Sequence, residues 1–437
     1  MNLSTKFLIA ALATTVAFPA LAQRIPVGGS STNKKAPDNA KPQETTESGE
    51  NLEKAQAGPT TTTGRKLTYS KEAGKAVLEL QNAVNAKDSA LITTKLAAAQ
   101  AVAKSPDEKF LVASQQTRAA IAANDLVAIR AGVDALQASG AAETPDLVAR
   151  YTDLGKRYKE AKQVDEAVVV LNKAMALNPN NVSTLVNLAS IRDAQGQKAE
   201  AVALMQKSFA ASKAAGVKVE EGNFKFATGL AYGQRLPVAN DLARQWVAAY
   251  PSPASWRDSL RIFRDLNKPA PNQLIDLLRL GRAANALSGE SDYFALGSAL
   301  VNAGKLAEAK TLLAEAKAAP NVDSTKRAFT DLTARVSAAP ARAAIDASAK
   351  AALAGANGKA MIDGGDALYG VGAYAEAVPL YRAALTKGGD ASLANLHLGM
   401  ALARSGDKAG ATAALTAVSG VNADVARYWL LWLATTA

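Results

Sequence analysis

A register of 34 residues constrains this chain more than any other feature. Starting from Glu290, equivalent places return at Ser324, Gly358 and Ser392. Three of these blocks fill them alike. Glu290–Asp323 has Tyr293, Leu296, Gly297, Gly304, Ala309 and Leu313; Gly358–Ala391 has Met361, Gly365, Leu368, Gly372, Ala377 and Tyr381. Ser392–Val425 has Leu398, Gly399, Leu402, Gly406, Ala411 and Leu415. Upstream, Val148–Asn181 carries Tyr151, Leu154, Gly155, Tyr158, Ala167, Leu171 and Pro179, and Val182–Ala215 carries Leu185, Leu188, Ala189, Ala201 and Met205. Large residues flank a small one at helical spacing, and the pattern then resumes on a second helix. The small residues mark where two helices cross, because bulk there would force them apart. Pro179 stops its helix, and Gly196 suits a left-handed C-cap between the two helices of its block.

The middle of the chain follows the pattern less well. Glu220–Pro253 keeps Ala227, Ala239 and Pro251, but Asn223 and Leu230 replace its large aromatic residues. Ala254–Leu287 and Ser324–Asn357 place Arg261 and Asp331 where a small residue belongs, and Gly364 stands where leucine is usual. The register slips before Glu220 and again before Glu290. These blocks read as degenerate copies of the same hairpin.

The run Tyr151-x-x-Leu154-Gly155-x-x-Tyr158, then Ala167-x-x-x-Leu171, then Pro179, resembles the tetratricopeptide-repeat family, whose helix–turn–helix units stack on one another. The resemblance implies an all-α, right-handed superhelical solenoid and a non-catalytic scaffold for protein partners. Residues 148–215 and 358–425 would each hold two clear repeats, 220–287 two degenerate ones, 290–323 a clear one and 324–357 a degenerate one.

The flanks differ from the repeats. Lys6, the apolar run Phe7–Phe18 and Ala20-Leu21-Ala22 form an export signal over 1–22, giving a mature chain from Gln23 without a transmembrane anchor. Residues 23–66 contain too few large aliphatic residues to offset ordering entropy and read as a disordered arm. Residues 67–147 read as two atypical helical hairpins, turning near Ala86-Lys87-Asp88 and Ala123-Asn124-Asp125. At the other end, 424–437 reads as a capping helix: Asp424 as N-cap, then Val425, Tyr428, Trp429 and Trp432, with Trp432 the candidate for an exposed aromatic patch.

Composition argues against catalysis. With no cysteine there is no disulfide, thiolate metal site or lipid-modified cysteine, and with one histidine, His397, no histidine cluster. His397 reads as a surface or partly packed residue, and the carboxylates as solvated faces and helix caps. No phosphate loop, nucleophile elbow or H-E-x-x-H motif is found. No cofactor or metal is expected. The net charge of +11 would suit nucleic acid in a cytoplasmic protein, but an exported one meets anionic envelope polymers and membrane surfaces instead.

The resemblance also implies a binding face. First helices line the groove of such solenoids, which here gives Thr152, Lys156, Lys159, Asn187 and Ser190. Some relatives clamp a terminal carboxylate with a lysine and asparagines. Asn187 occupies a matching place, but Thr152 stands for the lysine and Lys156 for an asparagine. A polar, mildly basic groove for an acidic or polar peptide remains. The expected partner is a protein or peptide of the cell envelope and the expected compartment the periplasm, with secretion as the alternative. Direct binding of an anionic envelope polymer is the second reading.

Overall fold

The computed structural model describes residue 61 and residues 64–436. The export signal and almost all of the arm lie outside the described residues. The chain divides into two compact units, residues 1–150 and 151–437. The described residues are all-α, with 21 helices and no extended strand.

In the first unit, α1 (Lys71–Ala86) pairs with α2 (Ser89–Val102), and α3 (Pro106–Ala122) with α4 (Leu126–Ala138). Each helix begins where a side chain can accept from an orphan backbone N–H. Ser70 caps α1, Asp88 caps α2, Ser105 with Glu108 forms a capping box on α3, and Asp125 caps α4. Lys87 and Asn124 take left-handed backbone at the two hairpin turns. Val77, Leu80, Val84, Ala99, Leu111 and Val112 form the core. The end of the expected arm is ordered: Arg65 lies 2.9 Å from Asp107, and the Thr68 backbone N–H donates to the same carboxylate. Glu108 accepts backbone N–H groups from Ser105, Ser70 and Lys104, which lower its pKa to about 2.

Helix α5 (Thr144–Glu160) spans the division. The second unit continues with α6 (Val164–Leu177), α7 (Val182–Ala194), α8 (Lys198–Ala214), α9 (Glu221–Gly233), α10 (Val238–Ala249), α11 (Pro253–Asn267) and α12 (Pro271–Ala283). It goes on through α13 (Glu290–Asn302), α14 (Leu306–Ala318), α15 (Arg327–Arg335), α16 (Arg342–Ala354), α17 (Gly358–Gly370) and α18 (Tyr374–Thr386). The chain ends with α19 (Ala391–Ser405), α20 (Lys408–Thr416), a single 3₁₀ turn at Gly420–Asn422 and α21 (Ala423–Thr435). Pairs α7/α8, α9/α10, α13/α14, α17/α18 and α19/α20 are antiparallel hairpins.

The crossing positions behave as their size demands. A Cβ at Gly155 would lie 2.6 Å from Leu171 Cδ2, and one at Gly399 would lie 2.8 Å from Leu415 Cδ2. The close neighbour of Gly155 is thus Leu171, one turn beyond the expected Ala167. Tyr151, Tyr158, Leu154 and Leu171 are almost wholly buried, each such side chain contributing about 1.5–3 kcal/mol by leaving water.

Of the degenerate blocks, 220–253 keeps its hairpin as α9/α10, whereas 324–357 has lost it. Helix α15 packs on α13 and α14, whereas α16 packs on α17 and α18, so the two halves of 324–357 serve different neighbours. Arg261 avoids any helix crossing: it is exposed and stacks over the Tyr232 ring, 5.1 Å from its centroid. Gly364 is explained by crowding, since a Cβ there would meet Leu380 at 2.9 Å and Ala349 at 3.4 Å.

The C-terminal repeats also turn back on the middle of the unit. One continuous core joins Trp256, Leu260 and Phe263 of α11 and Leu277 and Leu280 of α12 to residues of α17 through α21. Helix α21 rests on α20 and α19, as a cap would, but also on α10 and α12. Its Tyr428 hydroxyl meets Ser259 Oγ at 3.2 Å, and Trp429 Nε1 donates to the Asp276 carbonyl at 3.3 Å. Trp432 is half-buried, edge-on to Trp429 at 5.6 Å. Asp424 pairs with Arg427 in the first turn, and Asn422 takes the N-cap place expected for Asp424.

Candidate functional site

Four of the five expected groove residues present themselves at the surface of α5 and α7. Lys156 keeps about half its side chain exposed, at 49%. Lys159 reaches across from α5 to α7 and donates from Nζ to Ser190 Oγ at 3.1 Å. Asn187 is half-buried, its amide donating to the Ser183 carbonyl at 2.9 Å. Thr152 is the exception. It is buried, with Oγ1 2.7 Å from Thr184 Oγ1, and so belongs to the seam between two helices. The surface is less basic than two lysines suggest, because Glu160 lies 3.9 Å from Lys156.

Most of the equivalent positions in the last two repeats face inward, although Asp363, the equivalent of Asn187 in the first of them, is exposed. Asp366 and Met400 correspond to Lys156, Tyr369 and Ala403 correspond to Lys159, and His397 corresponds to Asn187. All five of these C-terminal residues are buried. The unit's own α12 and α14 lie against this end, so the face used for binding in such solenoids is filled by the chain itself.

What fills it is a charged network that sequence reasoning missed. Arg279 of α12 donates to Glu308 of α14 through Nε at 2.9 Å and Nη2 at 2.5 Å, and to Asp276 through Nη1 at 2.8 Å. Asp276 Oδ2 lies 3.1 Å from His397 Nε2. On the other side of the imidazole, Nδ1 sits 2.6 Å from Asp366 Oδ1, close enough for strong attraction though out of line for a hydrogen bond. Asp366 also takes Lys305 Nζ at 2.5 Å and the Tyr381 hydroxyl at 2.9 Å. Arg279 stacks on the Tyr369 ring, 4.9 Å from its centroid.

Burial and pairing compete at His397, Asp366 and Asp276, and pairing wins. Burial opposes the charged imidazolium of His397, but Asp366 and Asp276 hold its pKa up at about 9. Burial likewise opposes ionised Asp366, yet His397, Lys305 and Arg279 pull its pKa well below the usual carboxylate range. Asp276 is lowered against its own desolvation by His397 and then Arg279. With His397 protonated, Asp276, Glu308 and Asp366 are matched by Arg279, Lys305 and His397. The expected surface or partly packed position of His397 is therefore corrected to a buried, doubly paired one, and these carboxylates are neither caps nor solvated. A lone histidine and an aspartate at groove positions of alanine-rich repeats were the available signal. Gly370 was a second, because a Cβ there would lie 2.7 Å from Glu308 Cβ. Its absence lets α17 and α14 approach.

The network is largely buried, with only Lys305 reaching solvent, and its polar atoms are directed at one another. Among the described residues, no group of histidine, cysteine and carboxylate side chains could hold a metal ion, and no helix is long and apolar enough to cross a membrane.

Comparison with known proteins agrees with the repeat register. The tetratricopeptide-repeat family model matches residues 148–181, the block with the fullest pattern. No curated protein matches the chain. Solved structures with similarity include the TPR2AB domain of yeast Sti1 in a pHSP90 complex, at 14% identity and TM-score 0.25, covering 67% of this chain and 100% of that one. A tetratricopeptide repeat protein from Parabacteroides merdae aligns at 13% identity and TM-score 0.26, covering 75% and 100%. The pilF protein of Pseudomonas aeruginosa aligns at 14% identity and TM-score 0.21, covering 62% and 90%. Superpositions this shallow add no argument. The described residues form an all-α helical-repeat solenoid, and one of its repeats, residues 148–181, matches the tetratricopeptide-repeat family model.

Proposed function

We propose that this chain is an exported, periplasmic scaffold that takes a polar or acidic peptide segment of an envelope protein on the α5–α7 face. The supporting observation is the contrast along one register position. Lys156 is half-exposed, while its equivalents Asp366 and Met400 are buried against the chain's own helices. Lys156, Lys159, Asn187 and Ser190 supply hydrogen-bond donors and acceptors along two adjacent first helices. A helical-repeat face of this kind supports protein–protein interaction, and its polar character favours an extended segment with side-chain carboxylates. The export signal would send the solenoid to the envelope, where the arm would serve as a spacer or a docking segment.

Crosslinking of the tagged chain in cells, followed by mass spectrometry, would identify the partner. Adducts joined through Lys156 or Lys159 support the proposal. The double change Lys156→Glu and Lys159→Glu should then weaken the purified complex by about tenfold or more through like-charge repulsion. Unaltered affinity in that variant would move the contact elsewhere. Binding that instead collapses with salt and sediments with wall or outer membrane would favour the polymer reading.

A further inference from the structure

A cavity of about 450 Å³ opens beside the closed end of the second unit, in the range of small-ligand pockets. Its wall is polar: Arg282 and Asn285 come from the end of α12 and the turn after it, Thr311 and Glu315 from α14, Tyr374 from α18 and Arg404 from α19. Four segments distant in sequence thus converge on one space. The two arginines differ. Arg282 is held by both oxygens of Glu315, one of them at 2.8 Å. Arg404 makes no ion pair among the described residues. Its guanidinium stacks over the Tyr374 ring at 5.0 Å, and Nη2 donates to the Tyr374 hydroxyl at 3.3 Å. Tyr374 is in turn edge-on to Tyr369 at 4.9 Å, and Tyr369 carries Arg279 on its ring. The Tyr374 ring, braced edge-on by Tyr369, holds the plane of Arg404, and the rest of its donor fork has no protein partner among the described residues.

We propose that this cavity binds a small monocarboxylate through Arg404. A planar guanidinium matches a carboxylate with two parallel hydrogen bonds. The charged residues of the wall are Arg282, Glu315 and Arg404, which sum to one positive charge and match one negative one. Glu315 repels a second negative charge, which disfavours phosphate. The Asn285 amide and the Thr311 hydroxyl can serve the remaining polar atoms of the ligand. This inference is independent of the α5–α7 face, and either can fail without the other.

The test is titration calorimetry of the full chain with N-acetylglycine, with its neutral amide and with inorganic phosphate. The acid should bind saturably, and at least about tenfold more tightly than either comparison ligand. Arg404→Gln should remove that preference. Thr311→Glu, on a different helix, should do the same by placing a second carboxylate in the space, and it decides the matter if the Arg404 variant fails to fold. Equal binding of acid and amide, no binding of the acid, tighter binding of phosphate, or full binding by Thr311→Glu would each overturn the proposal.

Discussion

The first repeats and the last repeats are built on one pattern and put it to opposite uses. At Gly155 and Gly399 the two helices of a hairpin cross with the same closeness, each glycine lying under a leucine of the second helix. Next to those crossings the groove positions diverge. Lys156, Lys159 and Asn187 remain at the surface, whereas Asp366, His397 and Met400 are buried, with Lys305 at the start of α14 against Asp366 and Asp276 of α12 against His397. Crossing geometry therefore defines the repeat, while the groove position determines whether a repeat offers a surface or a seam. Polar residues occur at both ends, so polarity alone does not mark the binding face.

The largest expected effect breaks the seam. Asp366→Ala leaves His397 and Lys305 without their shared carboxylate in a dry interior, which should cost about 3–5 kcal/mol of stability in the second unit. Lys156→Ala, at the equivalent register position, should change stability by no more than about 0.5 kcal/mol. Denaturant melts of the two variants measure the comparison directly, and equal losses would erase it.

Overpacking should act the same way at both ends. Gly155→Leu and Gly399→Leu should each cost about 1–3 kcal/mol, because both insert bulk against a fixed leucine. A melting midpoint left unchanged by Gly155→Leu would place the register wrongly.

The pH response should be smaller and confined to the closed end. His397 has its pKa raised from 6.5 to about 9, so its contribution is complete below pH 6.5 and is lost as pH rises through about 9. Deprotonation leaves three carboxylates facing Arg279 and Lys305 alone. Thermal melts should fall by a few degrees, roughly, between pH 7 and 10. His397→Gln should flatten that slope, and a slope retained in the variant would assign it to other groups. In the acid direction, Asp366 and Asp276 have lowered pKa values, so their stabilisation is present above the ordinary carboxylate range and is lost as pH falls below it.

The repeat architecture was legible because it depends on local size. Tyr151, Gly155, Ala167 and Leu171 meet within one hairpin or its neighbour, and their spacing alone places them together. The partial exposure of Lys156, Lys159, Asn187 and Ser190 was legible for the same reason, although the burial of Thr152 against Thr184 depends on how two repeats mesh. Closure of the unit was not legible. It depends on contacts such as Ser259 with Tyr428 and Arg279 with Glu308, and small rotations summed over many helices decide whether those residues meet. The degenerate blocks concealed it further. Trp256 and Leu260, in one of those blocks, are among the residues the returning helices pack upon. His397 was misjudged because a lone histidine carries no local sign of two carboxylates arriving from distant helices.

The natural chain has no cysteine, which makes the central claim directly measurable. Lys156→Cys and Met400→Cys place single thiols at one register position in the first and last repeats. The account predicts that the thiol at 156 reacts with a maleimide at the rate of an exposed site. The thiol at 400 should react only as fast as the unit opens, and faster when Asp366→Ala is added. Equal labelling of the two positions in the folded protein would contradict it.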